Sequence, residues 1–306
     1  MSRVEARLIA DGGAAAADPE SFFRSPAFLA AEGVTHTIAI GDGPRLPVIV
    51  RPIEGDRSDA ISPYGYPGAS GGPETPIDPD RIDWSSTGLV SVFVRGRIGE
   101  NAPFEGGTVR NRVHVADGPS GIRKRLREQI RRNERGGWSV ALTAGPDADA
   151  DARAGFERAY AQTMARTGAA QRYLYPSDYF ERLLGSDRSW LVLATRDGDG
   201  LAGAIAVASD GYLHYYLGGT ADEALADSPM KNLFAEMISL GSELGLPVNL
   251  GGGLASGDSL DDFKRGFANG EAPFRTHELI CDPATYERLA AQADPAPEGF
   301  FPAYRS

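Results

Sequence analysis

Between residues 190 and 264 the apolar and polar positions alternate in a legible order. Three apolar runs, WLVLATRDG, LAGAIAVAS and YLHYYLGGT, are separated by Asp-Gly turns and predict consecutive strands joined as hairpins. The run SPMKNLFAEMISLGSELG then places Met230, Leu233, Phe234, Met237 and Leu244 on one helical face. Ser228 is its expected cap, Pro229 fits its first turn and Gly245 stops it. A short strand, VNLGGG, and a helix opening near Asp258 complete the series. On that helix Leu260, Phe263 and Phe267 form the apolar stripe, with Lys264 and Arg265 at its edge. Hairpin strands, then helix, strand and helix, describe a mixed sheet that splays open to admit an acyl donor. This order points to acyl transfer.

The rest of the chain repeats the alternation. Strand-like runs occur at HTIAI, RLPVIVRPI, GLVSVFVRG and VRNRVHVAD. Among them lies SPYGYPGASGGPETP, too rich in Gly and Pro for regular structure and long enough to be functional. Tyr64 and Tyr66 on it either cover a substrate or pin the loop to the core. Ser120 precedes a basic helix with Ile122, Leu126 and Ile130 on one face, stopped by Gly136-Gly137. The strand WSVALTAG closes this half, and the acidic PDADADARAG connects it to the next. Helices carrying Phe156, Tyr160 and Met164, and then SDYFERLLG, lead into the three hairpin strands. RTHELICD is a last strand and PATYERLAAQAD a last helix. The expected class is therefore mixed α/β, in two halves of residues 1–148 and 149–306, each a mostly antiparallel sheet flanked by helices. The first twenty residues, rich in Ala, Gly and Asp, are expected to be mobile.

Composition narrows the setting. The 306 residues are 42% hydrophobic and 24% charged, ordinary for a globular protein, and no apolar stretch reaches the ~20 residues of a membrane span. The lone Cys281, in the run HELIC, reads as a small core hydrophobe, and a reducing cytoplasm is the expected compartment. A net charge of −11 argues against DNA or broad nucleic-acid binding. Yet Arg110 to Arg135 holds nine basic residues against three acids, a net +6. Such an island on an acidic body suggests a local phosphate site, the alternative being a solvated helix face.

Several chemistries find little support. There is no Gly-x-Ser-x-Gly elbow, and His36, His114, His214 and His277 lie on separate strand-like runs without metal-ligand spacing. His214 and His277 read as buried strand residues, His214 remaining a minor candidate. Gly251-Gly252-Gly253 is neither a P-loop nor a dinucleotide fingerprint; it reads equally as a flexible turn or as backbone approaching a ligand closely. Lys264 is the sharper candidate, since a lysine held between two phenylalanines can neutralise a phosphate or a developing oxyanion. A lysine snorkelling from the core is the competing account.

Taken together, RYLY after TMARTGA, then YLHYYLGGT, SPMKNLF, DSLDDFKRGF and the basic IRKRLREQIRRNERGGW resemble the Fem-type branch of the GNAT acyltransferase superfamily over residues 60–285. That branch includes peptidyltransferases of peptidoglycan cross-bridges and transferases of peptide antibiotic pathways. The resemblance implies two GNAT-like halves, an aminoacyl-tRNA donor with no separate cofactor, and a peptide-like amine acceptor. It implies a role for Lys264 near phosphate and the reacting carbonyl, and places Tyr215, Tyr216 and Arg172 beside the acceptor. Lys264 and Tyr215 are the expected catalytic residues, and Tyr64 and Tyr66 of the loop, with Asn249, are further expected substrate-binding residues. Arg123, Arg127, Arg131 and Arg132 would meet phosphates at the acceptor end of tRNA.

Two departures bear on the donor. The Arg/Gln-x-x-Gly-x-Gly/Ala segment of acetyl-CoA enzymes is absent, and Asp222, Glu223 and Asp227 stand where it would hold pyrophosphate. No heptad insertion could form the coiled-coil arm of some Fem-type enzymes, and an acidic body is a poor tRNA platform. An acyl-CoA-dependent N-acetyltransferase and a non-catalytic peptide- or sugar-binding module are the alternatives.

Overall fold

The computed structural model describes residues 3–71, 76–99, 103–253, 257–294, 297 and 300–306, so residues 72–75 of the Gly/Pro-rich loop lie outside the described residues. Packing divides the chain into two units, Met1–Asn111 with Pro273–Ser306, and Arg112–Ala272. The chain begins with β1 (Val4–Ile9), α1 (Pro26–Ala31), β2 (His36–Ile40), β3 (Arg45–Pro52), β4 (Ser58–Ile61), β5 (Ile82–Asp83) and β6 (Leu89–Ile98). After β7 (Thr108–Ala116) come α2 (Lys124–Arg135), β8 (Ser139–Ala144), α3 (Ala150–Thr167) and α4 (Ser177–Leu184). β9 (Ser189–Arg196), β10 (Asp199–Ser209) and β11 (Tyr212–Thr220) precede α5 (Met230–Leu244) and β12 (Val248–Gly251). Last come α6 (Ser259–Arg265), β13 (Gly270–Ile280) and α7 (Pro283–Gln292). The mixed α/β class and the mostly antiparallel pairing are those the sequence predicts.

The first unit orders its strands β5-β1-β2-β3-β4-β6-β13, with parallel pairing at β1–β5 and β4–β6. Its core is built on Ile38, Ile40, Leu46, Val48, Val92 and Val94. The expected mobile N-terminus is instead the paired strand β1, Ala6 opposite Ile40 and Ile9 opposite Thr37. Only Ala6 of its six residues is fully buried, so alternation is too weak there to read as a strand. The Gly/Pro-rich loop is tied down in this unit: Arg24 donates to Pro67 O at 2.7 Å and Arg95 to Ser62 O at 2.6 Å.

The second unit orders its strands β7-β12-β11-β10-β9-β8, and only β11–β12 is parallel. Its limits differ from an expected division at residue 148, because β8 pairs with β9 and α2 packs on α5, all inside this unit. α3 begins on the cap of Asp149, which accepts from Ala152 N at 2.8 Å, and ends at Gly168 with a φ of 61°. Glycine lets α3 lie directly on the sheet: a Cβ on Gly219 would stand 2.5 Å from Ala159 O. Ser228 does not cap α5. Its φ of 51° takes it out of cap geometry, and Pro229 precedes the helix without a side-chain cap bond.

Two irregularities open the middle of this sheet. The β10–β11 register jumps from Ile205↔Leu217 to Ala206↔Tyr215, leaving Tyr216 as a bulge. β11 and β12 are in register only at Leu213↔Val248 and His214↔Asn249, then diverge. The strands splay from Tyr215 onward, as the sequence order predicts.

Candidate active site

α6 has seven residues, too few to persist without tertiary contacts. Asp258 caps it, accepting from Asp261 N at 2.7 Å. Phe263 and Phe267 dock on Phe234 of α5, the three ring centroids 5.3–5.4 Å apart. Leu260, expected in the same stripe, is instead 40% exposed, because docking through Phe263 and Phe267 turns it outward.

That docking turns Lys264 inward. It is 7% exposed, its Nζ donates to Gly252 O at 2.8 Å and stands 5.5 Å from the Tyr215 ring centroid. The aromatic face it meets is thus Tyr215 of β11, rather than the flanking phenylalanines, which hold the helix. Among the described residues Gly252 O accepts from the ammonium, whose other hydrogens remain for a second acceptor. Burial lowers the Lys264 pKa to about 8, against a raising influence from Asp258 and Asp261. Burial raises the Tyr215 phenol to about 12, so it keeps its proton at neutral pH. A Cβ on Gly251 would lie 3.0 Å from Lys264 Nζ, so the glycine turn admits the ammonium to the backbone. The group that approaches the backbone there is the chain's own Lys264 ammonium.

Asn249 is fully buried, and its amide joins His214 Nδ1 at 3.0 Å to Gly251 N at 2.8 Å. It therefore holds the Gly251 turn in place instead of facing a substrate. His214 contacts Ser209 O at 3.1 Å through Nε2, and burial lowers its pKa to about 4. A neutral ring with both nitrogens engaged is a structural strand residue. The bulged Tyr216 contacts Tyr179 Oη through its own Oη at 3.0 Å.

Beside Lys264 lies a pair not expected from the sequence. His114 of β7, opposite Gly251 in the β12 register, places Nε2 2.7 Å from Asp261 Oδ1. Asp261 also accepts from Gly257 N at 3.2 Å and from Arg265. The hydrogen bond from His114 is the largest influence holding its carboxyl below the usual range, with burial opposing. The two residues are 147 positions apart, a separation no local spacing rule detects.

The other expected site residues are dispersed. Tyr66 belongs to the first unit, edge-on to Phe23 and Phe274 with centroids 5.5 and 5.2 Å away, so it pins the loop. Tyr64, also in that unit, donates its N–H to Glu32 at 2.7 Å. Arg172 is exposed on the turn Gln171–Tyr173, its guanidinium 4.9 Å from the Tyr173 ring centroid. Arg123, Arg127, Arg131 and Arg132 are exposed on or beside α2. Arg132 and Arg125 face Lys231 in the first turn of α5, and burial with their repulsion lowers the Lys231 pKa. Asp227 beside them is paired with Arg196 at 2.5 Å, and Asp222 is paired with Arg166. Among the described residues no group of three or more His, Cys, Asp or Glu could hold a metal ion, and no helix is long and apolar enough to cross a membrane.

Comparison with known proteins bears on the fold. Residues 120–265 match the family described as an acetyltransferase (GNAT) domain. The fold is similar to that of FemX, at a TM-score of 0.53 and 12% identity over 82% of this chain and 89% of that one. It is similar to the C-terminal domain of a putative lysylphosphatidylglycerol synthetase from Agrobacterium fabrum, at a TM-score of 0.54 and 14% identity, covering 89% and 92% of the two chains. A conserved protein of unknown function from Bacteroides thetaiotaomicron aligns at a TM-score of 0.51 and 11% identity over 85% and 90%. No curated protein sequence matches the chain. The fold is thus of the GNAT type that the resemblance implies, and it is shared with FemX; the family match itself spans residues 120–265.

Proposed function

We propose that this protein forms an amide by moving an aminoacyl group from aminoacyl-tRNA to the amine of a peptide-like acceptor. The observation that carries the reading is the buried Lys264 ammonium, held against the Tyr215 ring where β11 and β12 part. The acceptor nitrogen attacks the ester carbonyl, a C–N bond forms, and negative charge develops on the carbonyl oxygen. An ammonium fixed in a low-dielectric corner stabilises that charge without reorganising. As the tetrahedral species collapses, the C–O bond to the ribose breaks and the leaving oxygen takes up the proton lost by the amine. The Tyr215 phenol, still protonated at neutral pH, relays that proton: it gives its own to the leaving oxygen and takes up the one the amine loses. Arg125, Arg132 and Lys231 give a phosphate-bearing donor a cationic landing at the start of α5, where an anion relieves their mutual repulsion.

One observation favours a second donor. Asp222 and Asp227, expected to repel a pyrophosphate near α5, are each engaged by an arginine, which removes much of that objection to acyl-CoA. Incubation with aminoacyl-tRNA or acyl-CoA and a panel of amines separates the readings. RNase-sensitive transfer selects tRNA, and RNase-indifferent thioester cleavage selects CoA. Ligand binding without transfer from either donor overturns the enzymatic reading in favour of a binding module.

A further inference from the structure

Between α3 and α4 lies a cavity of about 370 Å³ that none of the chemistry above uses. One face of α3 supplies Glu157, Tyr160, Ala161, Met164 and Ala165, and the connector with the start of α4 supplies Leu174, Tyr175 and Phe180. Three aromatic rings make its inner wall: Phe180 is edge-on to Tyr160 at 5.3 Å and to Tyr175 at 6.2 Å. They are fixed from behind, Tyr175 stacked on Tyr179 at 3.9 Å and Tyr160 donating to Tyr173 O at 2.9 Å. Leu174 stays 47% exposed at the rim, a large apolar side chain left in water beside an apolar hollow. Glu157 is the one charged residue of the lining, and its Oε2 accepts from Ser177 Oγ at 2.5 Å, which leaves the other oxygen for a ligand. Arg172, on the same connector, turns to the Tyr173 ring and is not part of the lining.

We propose that this cavity binds the aromatic body of a primary amine, with the Glu157 carboxylate as its counter-charge. Its volume falls in the range of small-molecule sites, and apolar walls with one polar anchor are their usual makeup. Ring edges and faces accommodate an aromatic group, while the carboxylate and the π-clouds both favour a cation over an anion. Binding stands on the cavity alone. The further role of that amine as the acyl acceptor rests on the acyltransferase reading above, and names an aromatic amine as its substrate class.

Titration of the full chain with tryptamine and with indole-3-propionate, followed by calorimetry, tests the site. Tryptamine is expected to saturate, and the anion to bind at least tenfold more weakly. Glu157→Gln should bring the two within about threefold of each other. Ala161→Trp fills the hollow and should abolish tryptamine binding; Ala165→Trp replaces it if that variant does not fold. Equal affinity for the two probes, or undiminished binding in a folded Trp variant, overturns the proposal. Tryptamine that binds but is never acylated sustains the cavity and counts against the acyltransferase reading. Acyl transfer to ethylamine in a protein that does not bind tryptamine overturns the cavity and leaves that reading standing.

Discussion

The second unit carries cations in two settings. The arginines of α2 are exposed to solvent, so holding them charged costs little. Lys264 sits 7% exposed with its pKa lowered to about 8, so its charge is maintained against desolvation. Exposed charge acts at a distance and is screened by salt; buried charge acts on one atom and is hardly screened. On the function proposed above, the exposed region would attract a polyanion and the buried one would stabilise a developing oxyanion.

The largest effect should come from removing the buried member. Lys264→Met is expected to lower kcat by about 10²–10³-fold, the scale of a lost oxyanion donor, with the unfolding temperature unchanged or higher. Wild-type turnover in a folded Lys264→Met protein would remove the lysine from the mechanism. Next, reversing Arg127 and Arg131 to Glu should raise the Michaelis constant for tRNA about tenfold, leave kcat unchanged and flatten the salt dependence by about two contacts. An unchanged constant would return α2 to the status of a solvated face.

A pH profile sharpens the contrast further. If the ammonium is the working form, the single-turnover rate should fall as pH passes about 8, and Lys264→Arg should lose that alkaline limb. Asp261→Asn removes a raising influence on Lys264, so its limb should move to lower pH. An unmoved limb would mean the His114–Asp261 pair does not set the lysine's charge. The smallest effect is on stability. Lys264 has a folded pKa of about 8 against an ordinary value of 10.5, so between those values the unfolded chain binds more protons than the folded one. Stability should therefore rise with pH across that window, and Lys264→Met should abolish the rise.

The candidate site is legible in the sequence only in part. Lys264 stands out because FKRGF combines an apolar stripe with an adjacent cation, whereas Tyr215 enters only through the family resemblance of YLHYYLGGT. The rest depended on contacts between distant segments. His114 and Asp261 meet through β7 and α6, and the engagement of Asp222 and Asp227 requires Arg166 and Arg196 from elsewhere in the unit. Tyr66 and Asn249 also changed meaning: both occupy suggestive positions, yet the first packs between Phe23 and Phe274 and the second holds Gly251.

By itself the sequence determined the elements, because periodicity, caps and glycine stops act over a few residues: the helix ended by Gly245 and the three hairpin strands follow from such signals. It also determined that a cation would stand on α6. Only the tertiary structure decided where that cation points, because the direction depends on Phe263 and Phe267 finding Phe234, and on β12 leaving β11 after two paired residues. Local pattern sets which groups a segment carries; burial and distance, which set their charge and their reach, are properties of segments brought together.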